Sequence, residues 1–325
     1  MADIFDLAAT NLLSPVILSF VLGLVAALGR SDLSVPEAAA KAMSIYLLFA
    51  IGFKGGAAVA SNGLDAALVA TLVAGFVLSA VLPFIAFAML RVLTNLSRID
   101  AAAVAGHYGS ISIVTFVAAT SVLEGRAISS EGYMVAVAAV MEAPAILSAL
   151  WLVSRGGSGR RMDSELMREI MLNGSIVLLV GAFVIGAITG QEGLDKVSNF
   201  IVAPFTGVLC LFLLDMGLVA GRGLRESRGV LNMGAVAFGI IMPLVGSVFG
   251  LGAGLLIGLS PGGIALLMVL SASASYIAVP AAMRVALPEA NPSVYLTLSL
   301  GVTFPFNLTI GIPLYVAVSQ AVTGG

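Results

Sequence analysis

Apolar runs of about 20 residues follow one another through most of this chain, and a run of that length spans the hydrocarbon core of a bilayer as one α-helix. Residues 66–90 are such a run, with no charged side chain between Asp65 and Arg91. The strands of a membrane barrel would instead alternate in polarity over about ten residues. Charged residues make up only 10% of the chain and hydrophobic ones 60%, where soluble domains average about 25% and 45–50%. The expected fold class is therefore an all-α integral membrane protein. A net charge of −2 offers nothing to nucleic acid. The 37 glycines suit close helix packing and interrupted helices. Cys210 is the single cysteine, so no intramolecular disulfide is available. Met1–Asn11 carries Asp3 and Asp6 in place of a basic n-region, so the first run is expected to remain as a spanning helix.

Ten transmembrane helices are expected, at 14–29, 41–60, 65–90, 99–123, 132–153, 170–188, 199–220, 230–257, 262–286 and 293–319. The longest polar interval, residues 154–169, divides the chain into a first five-helix unit (1–153) and a second (170–325) as a cytoplasmic linker. With the N-terminus outside, the inner ends and loops hold 12 basic residues, among them Arg91, Arg98, Arg155, Arg160, Arg161 and Arg225. The outside then holds only Arg126 and Lys196, and Lys54 falls within a span. Short cytoplasmic loops carry the excess of Lys and Arg, so both termini are expected outside a plasma (inner) membrane.

Shifting the first half of the chain by 163 places Ser110 on Ser273 and Ser112 on Ser275. The same shift places Val21-Leu22-Gly23 on Val184-Ile185-Gly186, Leu48-Phe49 on Leu211-Phe212, and Glu142-Ala143-Pro144 on Pro305-Phe306-Asn307. Five helices is an odd number, so a duplicated unit must begin on the opposite face and form an inverted repeat. Gly109-Ser110-Ile111-Ser112 and Ala272-Ser273-Ala274-Ser275 are small, hydroxyl-rich segments inside apolar helices 4 and 9. Both are built to unwind. Two inverted half-helices would aim their N-termini, each carrying about +0.5 charge, at one point near the midplane. Freed N–H groups and serine hydroxyls there suit a small anion with several acceptor oxygens. Each helix end contributes only about 0.3–1 kcal/mol, up to about 2 when buried, so hydrogen bonds must add the rest.

Four ionisable residues fall inside spans: Lys54, His107, Glu142 and Asp215. Such groups usually mark function in a membrane, since insertion costs about 2.5–3.5 kcal/mol for a Lys or Asp. Lys54 is expected to snorkel or to pair structurally, with Asp215 as the suggested partner. His107 is expected to pack through a hydrogen bond, and a lone histidine forms no multi-histidine metal site. Glu142 suits cation coordination or a proton relay. Ser97-x-x-Asp100 reads as a capping arrangement for helix 4, near an inner mouth where a cation could also be held.

Three motifs resemble the sodium-dependent bicarbonate transporter family: Asn11-Leu12-Leu13-Ser14-Pro15, Tyr46-Leu47-Leu48-Phe49-Ala50-Ile51-Gly52-Phe53-Lys54-Gly55-Gly56 and Tyr108-Gly109-Ser110-Ile111-Ser112-Ile113-Val114-Thr115-Phe116. The resemblance covers nearly the whole chain. It implies ten helices arranged as a core and a gate domain, crossed broken helices, and a homotrimer. It implies symport of bicarbonate with sodium, which is the coupling ion; no other cofactor is expected. Carried over by motif, the anion site is Gly109, Ser110, Ile111 and Ser112, facing Ala272, Ser273, Ala274 and Ser275. Two features depart from the pattern. The interval between helices 5 and 6 is short, where members regulated by a PII-like protein often have a longer one, which argues against that partner. His107 stands where a small residue is expected.

An interior-negative membrane opposes inward bicarbonate by about 2.3 kcal/mol per 100 mV. One sodium ion makes the step electroneutral, and a tenfold sodium gradient then supplies about 1.4 kcal/mol. Thr115, Glu142, Thr303 and Asn307 are the polar groups expected near the breaks to hold sodium, with Asp100 behind them. Symport of another small anion is an alternative. So is sodium/proton antiport, which Glu142 keeps open although helix 5 lacks the adjacent acids such proteins use. An enzyme is not expected, because the sequence has no metal-ligand cluster and no partner for its one histidine.

Overall fold

The computed structural model describes residues 13–62, 66–154, 168, 172, 174–226, 232–276, 279, 280, 283 and 287–324. Every regular element among them is helical. The helices are α1 (Pro15–Leu28), α2 (Glu37–Asn62), α3 (Ala66–Leu93), α4 (Arg98–Gly109), α5 (Ile113–Gly125), α6 (Met134–Val140), α7 (Ala143–Ser154), α8 (Gly174–Ile201), α9 (Phe205–Glu226), α10 (Met233–Ile257), α11 (Pro261–Ala272) and α12 (Pro292–Thr323). Among the described residues, eight helical segments are long and apolar enough to cross a membrane, α4 with α5 and α6 with α7 each counting as one. Two shorter apolar helices, α1 and α11, accompany them. The expected linker at 154–169 lies outside the described residues apart from Ser154 and Arg168.

Several expected helices are less regular than hydropathy suggests. The fifth, expected as one piece over 132–153, is split at Met141-Glu142 into α6 and α7. Pro144 explains the split, since it has no N–H and its ring clashes with the carbonyl four residues back. Ser79 of α3 bridges the gap: its hydroxyl donates to Met141 O (2.6 Å) and accepts from Ala145 N–H (3.2 Å). The sixth, expected to end at 188, continues to Ile201 through a kink at Gly190, whose φ of 61° needs a glycine. In the tenth, α12, two π-helical stretches (Thr297–Thr303 and Asn307–Gly311) flank Pro305. A proline leaves one carbonyl without its usual donor, and a wider turn is one adjustment to that.

α2 lies along α8 and α1 along α9. These pairs approach backbone to backbone. A Cβ at Gly56 would run into the Phe183 carbonyl, one at Gly186 into that of Phe53, and one at Gly217 into that of Phe20. The glycines thus replace side-chain packing with direct helix contact, as small residues do between membrane helices. α3 and α10 pack on α4 and α11 respectively, and on each other. The stretch Arg98–Gly125 is 94% buried by the chain itself in its most apolar part, against 17% for Val177–Ile201. α4 and α5 therefore sit at the centre, enclosed by protein. Leu22, Val73, Phe76, Val248 and Leu256 point outward instead, as lipid-facing side chains would.

α4 and α11 correspond closely. Moving Arg98–Gly109 by 163 residues lands on Pro261–Ala272 without remainder. Ser97 and Ser260 cap their starts, accepting from Asp100 N–H (3.0 Å) and Gly263 N–H (3.1 Å). Ser110 and Ser273 stand at their ends. Each start is also tied to the other half of the chain. Asp100 Oδ1 accepts from Asn291 N–H (2.8 Å), and Glu131 Oε1 accepts from Ser260 N–H (2.7 Å).

Candidate functional site

α4 ends because Ser110 is extended (φ −84°, ψ 176°), and α11 ends because Ser273 is extended (φ −89°, ψ 163°). Gly109 has to be glycine, since the Pro83 ring of α3 fills the space its Cβ would take. The two extended segments bond to each other. Ser112 N–H donates to Ser273 Oγ (2.9 Å), and Ser275 N–H donates to the His107 carbonyl (2.8 Å). The Ser273 hydroxyl in turn donates to Leu270 O (2.9 Å). Ser112 then caps α5: its hydroxyl accepts from Thr115 N–H (3.1 Å) and from Thr115 Oγ1 (2.9 Å). The other first-turn donors of α5, the N–H groups of Ile113 and Val114, have no capping partner among the described residues. On the second segment, Val279 N–H donates to Ser275 Oγ (3.3 Å).

All eight residues expected at the anion site are buried, from Gly109 to Ser112 and from Ala272 to Ser275. Three of the five sodium candidates bond to them, and a fourth, Thr303, bonds Tyr108 beside Gly109. Ser110 Oγ donates to Glu142 Oε2 (3.3 Å), and Thr115 bonds Ser112. Asn307 Nδ2 donates to the last carbonyl of α11, Ala272 O (2.8 Å), while its Oδ1 accepts from Tyr315 (3.0 Å). Thr303 Oγ1 gives its proton to Gly239 O (2.6 Å), so at 2.6 Å the Tyr108 hydroxyl must be the donor to Thr303. Glu142 is a buried carboxylate with no Lys or Arg partner among the described residues.

Asp100 is not brought to the break. It sits in the first turn of α4, nine residues from Gly109 and so about 13 Å along the axis. Its carboxylate is occupied by the Ser97 hydroxyl (2.7 Å) and Asn291 N–H. The suggested Lys54–Asp215 pair is also absent. Lys54 Nζ lies 2.8 Å from Glu124 Oε1, and Asp215, buried on α9, has Arg222 two turns on as its charged neighbour. Similar repeat positions do not guarantee that two side chains face each other. His107 packs as expected, with Nδ1 bonded to Ala103 O (2.7 Å) and its ring stacked 4.3 Å from Tyr295.

Two residues of the site, Ser79 and Tyr276, escaped sequence reading, and Tyr108 stood there only as the start of a motif. The Tyr276 hydroxyl is close to Ser112 yet completes no hydrogen bond with a described residue. A lone hydroxyl in an apolar helix carries no signal of what lies opposite. Pro144 was a readable break signal for the segment that Ser79 serves.

These features define a polytopic α-helical membrane protein whose polar centre joins the break between α4 and α5 to the extended end of α11. The chain belongs to the Na+-dependent bicarbonate transporter superfamily, whose family model matches residues 15–320. Among curated proteins, none matches the chain.

Proposed function

We propose that this protein moves bicarbonate into the cell by symport with sodium, through alternating access, with the anion held between Ser110–Ser112 and Ser273–Ser275. The observation that carries this reading is the reciprocal bonding of the two breaks, Ser112 N–H to Ser273 Oγ and Ser275 N–H to His107 O. It brings two helix interruptions, 163 residues apart in sequence, into one buried place. Opening these bonds would release the N–H donors of Ser112 and Ser275 for the anion's oxygens, and the start of α5 adds its positive end. Thr115, Glu142, Thr303 and Asn307 are the proposed sodium ligands. A buried carboxylate without a cationic partner is costly to keep charged, and sodium would supply the missing charge at Glu142.

In this reading the chain is two inverted five-helix repeats, ten spans in all, with α4–α5 and the 262–286 span crossing at their breaks. α1, α2, α8 and α9 form the gate and the remaining helices the core. The assembly is a homotrimer in the plasma membrane, with both termini outside, and no catalytic step is assigned. The close match of α4 to α11 and the reciprocal α1–α9 and α2–α8 packing support the repeat.

The test is uptake of labelled bicarbonate into proteoliposomes with and without an inward sodium gradient. Sodium-dependent uptake by the wild type, lost in Ser110→Ala/Ser112→Ala, is the expected result. No uptake by folded wild type would overturn bicarbonate as the substrate.

Glu142 supports one second reading, sodium/proton antiport, because an unpaired buried carboxylate can carry a proton as readily as a cation. Proton release on adding sodium, in vesicles free of bicarbonate, would select it.

A further inference from the structure

A cavity of about 280 Å3 lies between α2 and the far end of α5, lined among others by Lys54, Thr120, Glu124 and Glu131. The positive-inside reading puts this mouth outside. Its deep wall includes Phe116 and Leu266. Phe116 is one helical turn, about 5.4 Å, beyond Ser112, and its N–H bonds the Ser112 carbonyl (3.0 Å). Along α5, one turn lies between the cavity's wall at Phe116 and the break at Ser112.

Lys54 reaches across the mouth from α2 to Glu124 (2.8 Å), with its ammonium also 5.3 Å from the Phe205 ring. α2 is fixed to α8 at Gly52 and Gly56, on either side of Lys54, whereas Glu124 ends the helix that begins at the break. The pair therefore joins the α2–α8 unit to the helix that carries the site. Lys54 is 28% exposed and Glu124 54%, and an ion pair so open to water is weak and easily parted. That makes it a poor structural staple and a suitable closure.

A second cavity, of about 310 Å3, lies between Val219–Gly223 of α9 and the start of α12. Shifted by 163, Ser130 and Met134 of the first cavity fall on Ser293 and Thr297 of the second. The α9 wall falls within two residues of the counterpart of Lys54–Ala58. The two cavities thus take equivalent places in the two halves of the chain.

We propose that the Lys54 cavity is the outer vestibule through which the anion reaches the break, and that the Lys54–Glu124 ion pair is the latch closing it. This rests on the symport reading for what lies at the break. Opening parts the two charges, so the ammonium faces incoming bicarbonate and the carboxylate faces sodium. The exchange leaves net charge unchanged.

The test uses the full chain with Cys210→Ser and Thr120→Cys, and an impermeant thiol reagent outside intact cells. Lys54→Met and Glu124→Gln should each raise the labelling rate about two- to fivefold, the range an exposed ion pair allows. The exchanged pair Lys54→Glu/Glu124→Lys should restore the slow rate. Unchanged rates in both single variants, or labelling from the inside alone, overturn the latch. If the single variants do not reach the membrane, the exchanged pair is compared with Lys54→Met/Glu124→Gln, and equal rates overturn it. Bicarbonate uptake is measured in parallel. Absent uptake with the labelling pattern intact sinks the symport reading and leaves the latch standing.

Discussion

Ser112 bonds through its N–H, its hydroxyl oxygen and its carbonyl. Its N–H meets Ser273, its hydroxyl serves Thr115 twice, and its carbonyl takes the Phe116 N–H. Ser273→Ala removes the acceptor for a buried N–H, and an unsatisfied buried donor costs about 1–3 kcal/mol. Thermal unfolding of the purified protein should show that loss, and an unchanged midpoint would mean the two breaks are held together by something else. The paired serines, Ser110 with Ser112 and Ser273 with Ser275, were legible in the sequence because hydroxyls at a fixed spacing stand out in apolar helices. Their helpers were not. Tyr108 and Tyr276 resemble ordinary packing aromatics until Thr303 and Ser112 are seen beside them. The suggested Lys54–Asp215 pair fails for a related reason: a charge in a span reveals its cost, but not the direction its side chain takes.

At the scale of elements, glycine decides how closely helices meet. Gly56 lets α2 rest on the α8 backbone, where a methyl group would overlap the Phe183 carbonyl. Gly56→Ala should therefore push the helices apart and cost about 1–3 kcal/mol, as overpacking does. The loss would be read as a lower yield of folded protein in detergent and a lower unfolding midpoint. Full retention of both would show that α2 and α8 tolerate separation. That the chain is a series of long apolar helices was legible, because hydropathy and length mark helices in lipid, while their ends were not: the sixth runs on to Ile201 and the seventh starts at Phe205. Their irregularities were only half legible. Pro144 announces a break, but the bridging of that break by Ser79, 62 residues earlier in the chain, depends on α3 packing there.

For the molecule as a whole, orientation is the property most exposed to a simple test. Ten spans would put 12 basic residues on one face and two on the other, and the chain should then insert with the basic face in the cytoplasm. In a Cys210→Ser background, exposed Ser31→Cys should react with an impermeant reagent only from inside and exposed Glu192→Cys only from outside. The reverse pattern would overturn the orientation and exchange the two vestibules. The pairing of α1 with α9 and α2 with α8 gives the molecule its frame. The offset of 163 hinted at a duplication without showing which helices would touch.

Hydropathy, run length and charge bias are local properties, and lipid forces a local answer, because each spanning segment must satisfy its own backbone hydrogen bonds. The sequence by itself therefore determined an all-helical membrane protein with two weak points of matching chemistry. Tertiary structure decided what those weak points face. Ser112 meets Ser273 across 161 residues, Tyr108 meets Thr303 across 195, and Lys54 meets Glu124 across 70. A hydrogen bond forms only within about 3 Å, and no spacing along the chain specifies that distance until the helices have packed.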